Sequence, residues 1–256
     1  MDLIAQWIFF DKFLDGGCTS FIIVDKNGNL WVGRNNDYIA PKMWSHVNII
    51  SKRDMIPVML FGMGGDLFSG TGYNKEKIWL HYNWLPVWDI PKKDAYPPYV
   101  FLRMALESCK NIKDLENMLR YIPRDGGMNL FFIDGKDNTC AVYECMCNDF
   151  IKREITGKYI AGANHYNITS VVPVDYNYDF SGSYKRQKSM ENILENIDFS
   201  VKDLISVLSN PNIEQNNGLH GTVYSNIACP ATDELYYACD GFPAASGKWE
   251  LVNWCW

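Results

Sequence analysis

Cys18 is followed sixteen positions later by Arg34 and nineteen positions later by Asp37, within Gly16-Gly17-Cys18-Thr19-Ser20 and Gly33-Arg34-Asn35-Asn36-Asp37. Residues of these types can build a nucleophile. A thiol with a pKa near about 8.5 is mostly protonated at neutral pH and needs a base or a nearby cation. A free α-amine, at about 7.7–8.0, is such a base when the cysteine is the first residue of its chain. Cleavage between Gly17 and Cys18 would create that amine. Arg34 would favour the thiolate, and Asp37 would accept hydrogen bonds from the amine and hold its orientation. The glycine before the thiol suits the strained turn that an N-to-S acyl shift requires. Taken alone, Cys18 reads as a small core residue of a strand; the two spaced partners set it apart.

For these residues to meet, the chain must fold back between them. Residues 20–26 and 29–34 read as strands joined through Asn27-Gly28, a hairpin signal because both positions tolerate positive φ. The hairpin returns Arg34 and Asp37 to the thiol end of the first strand. Further strands read at 48–51 and 57–61, at 129–133, 140–145, 150–154 and 159–163, and at 222–228, 234–239 and 248–253. Asp134-Gly135 supplies another turn. Helical periodicity marks 99–108 and 112–121, with Leu115, Met118 and Leu119 on one face, and again 185–196 and 201–208. Gly126-Gly127 closes the first helical pair, and Ser200 with Asp203 resembles a capping box. Strands in groups and helices in pairs imply an α+β fold of antiparallel sheets flanked by helical layers. Without a repeat or a linker, one domain is expected.

In these motifs the sequence resembles the cysteine N-terminal-nucleophile (Ntn) hydrolases of linear amides. That group includes choloylglycine hydrolases, penicillin V acylases and the acyl-coenzyme A:isopenicillin N acyltransferase family. Its pattern is a Cys-Thr that opens a β-hairpin, here Cys18-Thr19, and a Gly-Arg-Asn-x-Asp ending the second strand, here Gly33 to Asp37. Gly72-Tyr73-Asn74-Lys75-Glu76-Lys77, leading to Tyr82-Asn83-Trp84, resembles the family's Gly-x-Asn-Glu-x-Gly-Leu strand. That strand ends in an oxyanion-hole asparagine, and Asn83 is the matching position; the family's glycine is replaced around Lys77. Ala163-Asn164-His165-Tyr166 resembles an Asn-His-Phe segment of the acyltransferase-like branch. The match implies that Asn164 donates its amide to the developing oxyanion, a contribution of about 3–4 kcal/mol in such sites. Ser183-Tyr184-Lys185-Arg186 resembles the Ser-x-x-Arg that opens a helix, making Arg186 a supporting cation or, alternatively, a solvated helix charge. Thr222-Val223-Tyr224-Ser225 and Gly241-Phe242-Pro243 resemble the closing strands.

The resemblance implies a four-layer αββα Ntn-hydrolase sandwich with antiparallel sheets, in which 1–17 is a leader and 18–256 the catalytic domain. It implies an autoprocessing hydrolase or acyltransferase that cleaves linear amide C–N bonds through a thioester, without a cofactor. The implied catalytic set is Cys18, Arg34, Asp37, Asn83, Asn164 and Arg186. Two alternatives stand beside it. Cys18 could stay internal with His165 as its base, although the family uses the α-amine and leaves that histidine structural or pocket-lining. The chain could also be a binding protein that kept the fold.

Composition narrows the classes further. The 256 residues are 47% hydrophobic, 14% aromatic and 21% charged, with a net charge of −6. That excludes a disordered tail, a collagen-like repeat and a charge-driven nucleic-acid binder. No apolar run approaches the roughly 18 residues of a membrane span. Eight cysteines are too few for a disulfide scaffold. The first residues mix Asp2, Asp11, Lys12 and Asp15 into an apolar run, unlike a secretory signal, so a reducing cytoplasm is the expected compartment. Ile4, Trp7, Ile8, Phe9 and Phe10 would let a cleaved leader stay bound. His46, His81, His165 and His220 lack paired spacing, and Cys145-Met146-Cys147 is a lone Cys-x-Cys, so no metal is expected. The glycines of 66–72 lack a phosphate-loop lysine. Trp79, Tyr82, Trp84 and Trp88 read as packing or as an apolar wall for an acyl group. The expected partner is a small-molecule amide with an apolar acyl group, with no nucleic acid and no membrane. The sequence leaves open bile-salt-like, penicillin-like, fatty-acyl or peptide-derived substrates, hydrolysis or acyl transfer, and the oligomeric state, a homo-oligomer included.

Overall fold

The structure, a computed structural model, describes residues 17–39, 45–63, 68–168, 170, 172–173, 179–218 and 220–256. Of the expected leader only Gly17 is among them; its apolar residues lie outside. In chain order the strands and helices are β1 (Cys18–Val24), β2 (Leu30–Ile39), β3 (Ser45–Ile50), β4 (Val58–Met63), β5 (Thr71–Asn74), β6 (Ile78–Leu85), α1 (Pro98–Ser108), α2 (Ile112–Tyr121), β7 (Gly127–Asp134), β8 (Thr139–Cys145), β9 (Phe150–Arg153), β10 (Tyr159–Gly162), α3 (Ser183–Asn196), α4 (Val201–Leu208), β11 (His220–Cys229), β12 (Glu234–Asp240) and β13 (Lys248–Leu251). They build a six-stranded sheet, β10-β1-β2-β11-β12-β13, and a seven-stranded sheet, β3-β4-β5-β6-β7-β8-β9. The described strand pairings are antiparallel.

Side-chain alternation along the strands creates the layers. Ile22, Val32, Phe61, Trp79 and Phe131 meet between the two sheets. On the outer face of the seven-stranded sheet, Leu80, Leu130 and Phe132 pack against Phe101, Leu106 and Leu115 of α1 and α2. Phe21, Ile23 and Ile227 of the six-stranded sheet pack against Met190, Leu194 and Leu204 of α3 and α4. The result is the αββα sandwich that the sequence implied. Among the described residues no helix is long and apolar enough to cross a membrane.

The β1–β2 hairpin turns as Asn27-Gly28 predicts. Gly28 takes φ 84, and the Asp25 carboxylate accepts the backbone N–H groups of Asn27 and Asn29, each at 2.8 Å. The turn fixes the register, pairing Ser20 with Arg34 and Cys18 with Asn36. The apolar pattern ends this strand at Arg34, whereas β2 continues through the polar residues of the Gly33 to Asp37 motif to Ile39.

The hairpin of β5 and β6 differs from its family pattern. Lys77 stands in the left-handed region at φ 59, where glycine was expected, at a cost on the order of 1–2 kcal/mol. Its N–H bonds to Asn74 O at 2.9 Å, and the Asn74 carboxamide oxygen takes the N–H groups of Glu76 and Ile78, both at 3.0 Å. The Lys77 ammonium is then held by Asp233 at 2.8 Å. The turn therefore forms without the glycine. At α4, Ser200 caps the Asp203 N–H at 3.1 Å, but the Asp203 carboxylate takes the Ser200 hydroxyl at 2.6 Å. Cys145 and Cys147 do not share a strand face: β8 ends at Cys145, and Cys147 bonds to the Asp89 loop, its N–H to the carboxylate at 3.0 Å.

Candidate active site

Cys18 is the first residue of β1, a strand flanked on both sides by β10 and β2. The alternation that sends Ile22 between the sheets also sends Cys18 and Ser20 there, with Arg34 and Asn36 of β2 beside them. Thr19 and Asp37 fall on the opposite face, toward α3. The site thus straddles one end of the six-stranded sheet, and both faces contribute.

On the thiol side, Sγ lies 3.3 Å from Arg34 Nη2 and 3.8 Å from Asn36 Oδ1. The buried Arg34 guanidinium also donates to the Tyr82 carbonyl at 2.8 Å, to the Tyr224 hydroxyl at 2.9 Å and to the Thr71 hydroxyl. These acceptors are neutral, so they leave the positive charge available to the sulfur. Burial pushes the Cys18 thiol above its ordinary value, and Arg34 is the strongest opposing influence. While Gly17 and Cys18 remain joined, the sulfur is a protonated thiol beside a cation, and among the described residues its side-chain hydrogen-bond partners, Arg34 and Asn36, are not bases.

On the nitrogen side, Cys18 N–H donates to Asn164 Oδ1 at 2.8 Å. Arg186 Nη2 donates to the same oxygen at 2.9 Å, while Nη1 donates to the Cys18 carbonyl at 2.8 Å and to the Thr19 hydroxyl. Asn164 is fixed by its own N–H to Ser183 Oγ at 2.8 Å and by Nδ2 to the Trp84 carbonyl at 2.9 Å. A primary amide has a second hydrogen, which remains for an oxyanion. Asp37 Oδ1 accepts the Thr222 hydroxyl at 2.6 Å. Asp37 Oδ2 takes no hydrogen bond among the described residues, and Arg186 Nη1 stands 3.8 Å from it. Burial pushes this carboxyl up to about 6, against the pull of Arg186 and Thr222.

Gly17 sits in the middle of these groups. Its carbonyl accepts Asp37 N–H at 2.8 Å, and its N–H donates to His220 Nε2 at 3.3 Å. A Cβ here would meet Arg186 Nη2 at 3.2 Å, Asp37 Oδ2 at 3.4 Å and Asn164 Oδ1 at 3.6 Å. The glycine permits this close approach of three side chains to the peptide.

Of the six residues named from the sequence, Cys18, Arg34, Asp37, Asn164 and Arg186 contact one another around Gly17 and Cys18. The Asn83 side chain lies one step away and joins the two sheets, accepting Ser20 Oγ at 3.0 Å and donating to the Gly162 carbonyl at 3.1 Å. The carbonyls beside it, of Tyr82 and Trp84, reach Arg34 and Asn164. His165 is turned to other work. Its Nδ1 lies 2.7 Å from Ser183 Oγ, its ring stacks on Tyr184 at 4.0 Å, and burial pulls its pKa to about 4. The sequence reading did not assign Thr71, Tyr224, Asn36, Thr222 or Ser183 to the site. Alternation from Arg34 could have placed Asn36, whereas Thr71 and Tyr224 arrive from strands distant in sequence. Trp79 is a core residue whose indole donates to His81 Nδ1 at 2.9 Å, and Trp88 packs on Tyr166 at 5.1 Å. Among the described residues, His, Cys, Asp and Glu side chains form no group of three that could hold a metal ion.

Solved structures share the architecture. An N-acylethanolamine-hydrolyzing acid amidase ortholog from Caenorhabditis elegans superposes with a TM-score of 0.61 at 14% identity, covering 92% of this chain and 100% of that one. A mutant conjugated bile acid hydrolase from Clostridium perfringens gives 0.61 at 14% identity, covering 93% and 97%. Penicillin V acylase from Agrobacterium tumefaciens gives 0.60 at 12% identity, covering 87% and 83%. At such identities the likeness establishes the fold, the αββα sandwich of the Ntn hydrolases. No curated protein matches the chain in sequence. The sequence profile described as "Acyl-coenzyme A:6-aminopenicillanic acid acyl-transferase" matches residues 23–241, most of the chain, and the protein therefore belongs to that acyl-transferase family.

Proposed function

We propose that the chain cleaves its own Gly17–Cys18 bond and then acts, through Cys18, as a hydrolase or acyltransferase of linear amides, with 1–17 as leader and 18–256 as the working domain. The observation that carries this reading is the surplus of acceptors around one backbone nitrogen. A peptide N–H needs a single acceptor, and Asn164 Oδ1 already supplies it at 2.8 Å. The orphaned Asp37 Oδ2 beside the same peptide has no use for a neutral N–H, but it suits an ammonium with three hydrogens.

In the released form, the Cys18 α-amine takes the thiol proton while Asn164 and Asp37 hold it in place. Sγ, stabilised by Arg34 at 3.3 Å, attacks the amide carbonyl. The oxyanion accepts the second Asn164 amide hydrogen, and Arg186 holds Asn164 in position. The amine then passes its proton to the departing amine, and water or an amine acceptor takes the acyl group from sulfur. The names of the three structures, an acid amidase, a bile acid hydrolase and an acylase, support a small-molecule amide with an apolar acyl group.

Intact-mass measurement with and without an electrophilic acyl ester tests this. The expected product begins at Cys18 and gains one acyl group. Cys18→Ala should stay uncleaved and lose turnover by at least about 10⁴-fold. Full activity in that variant overturns the mechanism. An active but uncleaved protein would favour an internal Cys18, and absence of any acyl-enzyme would favour a binding protein.

A further inference from the structure

The peptide to be broken is held on more than one side. Asp37 N–H donates to the Gly17 carbonyl at 2.8 Å, extending the β1–β2 ladder one step beyond the Cys18–Asn36 pair. In a regular antiparallel ladder a hydrogen-bonded pair exchanges both bonds. Gly17 N–H would then go to the Asp37 carbonyl. It goes instead to Nε2 of His220, at 3.3 Å. The imidazole is placed by a tight turn: His220 N–H donates to Asn217 Oδ1 at 2.6 Å, and Asn217 N–H returns to the His220 carbonyl at 2.9 Å. As an acceptor, Nε2 is unprotonated, and the neutral ring carries its hydrogen on Nδ1.

We infer that His220 is a positioning residue for self-cleavage and is not needed for turnover. The inference rests on the maturation reading above. His220 anchors the last residue of the leader so that the Gly17 carbonyl stays on Asp37 N–H while the sulfur attacks. In that step the bond from Sγ to the Gly17 carbonyl carbon forms, the Gly17–Cys18 C–N bond breaks, and the thiol proton ends on the Cys18 nitrogen. Water then cleaves the thioester, restoring the thiol and releasing Gly17 as a carboxylic acid. The oxyanion of the first step falls to Asp37 N–H at hydrogen-bond distance, whereas the oxyanion of turnover falls to Asn164. Maturation and turnover thus share a sulfur and divide their donors. Once the leader leaves, the bond between His220 and Gly17 has no counterpart in the turnover scheme.

The test follows the full chain in a timed cell-free synthesis, reading cleavage by intact mass and then acylation of the cleaved form by a p-nitrophenyl alkanoate. His220→Leu should cleave about tenfold more slowly, the effect of one lost hydrogen bond. His220→Gln, whose Oε1 replaces the acceptor, should recover most of that rate. Both, once cleaved, should react with the ester at about the wild-type rate. If His220→Leu does not fold, His220→Asn, too short to reach Gly17, takes its place with the same expectation. Wild-type cleavage in the Leu or Asn variant, no recovery with Gln, or acylation that falls in step with cleavage overturns the inference alone. A wild-type chain that never cleaves overturns the maturation reading, and the inference with it.

Discussion

The layer between the two sheets changes character from one end to the other. At one end Ile22, Val32, Phe61, Trp79 and Ile133 fill it with apolar atoms. At the other end the same strand faces continue as Ser20, Arg34, His81, Asn83, Asn129 and Asn226, all buried. Arg34 Nε, His81 Nε2 and both amide atoms of Asn129 and Asn226 take no hydrogen bond among the described residues. Buried polar groups left in this way cost free energy. The apolar end thus holds the sheets together, while the polar end gives up stability to put one positive charge beside one sulfur. His81 illustrates the division. The Trp79 indole is a donor only, so His81 Nδ1 must accept, and burial first and Arg34 second hold the ring well below its ordinary pKa. A neutral His81 leaves the guanidinium without a competing cation from that ring.

Substitutions can break this contrast. The largest effect belongs to the apolar end: Trp79→Ala should lower unfolding stability by about 3–5 kcal/mol in urea titration, with turnover per folded molecule little changed. A loss under about 1 kcal/mol would mean that this end does not carry the packing. At the polar end the outcome should invert. Arg34→Met should reduce amide turnover by about 10²–10³-fold and slow thiol alkylation at pH 7, while the melting temperature holds or rises. Should the variant instead melt early and keep its activity, Arg34 would be a structural residue.

A smaller effect sharpens the same contrast through pH. The Asp37 carboxyl rises from 3.8 to about 6, so the folded state favours its neutral form. The stabilisation is complete below about pH 4 and is lost as pH rises through about 6, a change of about 3 kcal/mol for two units. In the uncleaved Cys18→Ala chain, urea midpoints between pH 4 and 7 should show this slope, and Asp37→Asn should flatten it. Equal slopes in both would place the titration on another group.

What was legible in the sequence was local. Asn27-Gly28 sets the β1–β2 register, and that register turns the spacing of Cys18, Arg34 and Asp37 into proximity. The partners of Arg34 were not legible, because Thr71 and Tyr224 belong to strands separated from β2 by long stretches of chain. Strand β6, Ile-Trp-Leu-His-Tyr-Asn-Trp-Leu, is packed on both faces and shows no clean alternation of polar and apolar residues, so its period does not mark it, and only the family resemblance pointed to a strand ending at Asn83. Asn83 was found by resemblance, yet the work of its side chain, tying Ser20 to Gly162, depends on the second sheet. Lys77 shows the limit of a motif: the turn forms without the family's glycine because Asn74 and Asp233 support it.

Strand β1 lies inside its sheet, between β10 and β2. Chain ends ordinarily fray, and fraying is what an exopeptidase needs to draw a terminus into its own cleft. A terminus created at Cys18 would instead begin in register with Asn36 of β2, with its carbonyl tied to Arg186 and with β10 pairing from Ser20 onward. Aminopeptidases should find no loose end there, and the new first residue should last as long as the sheet does.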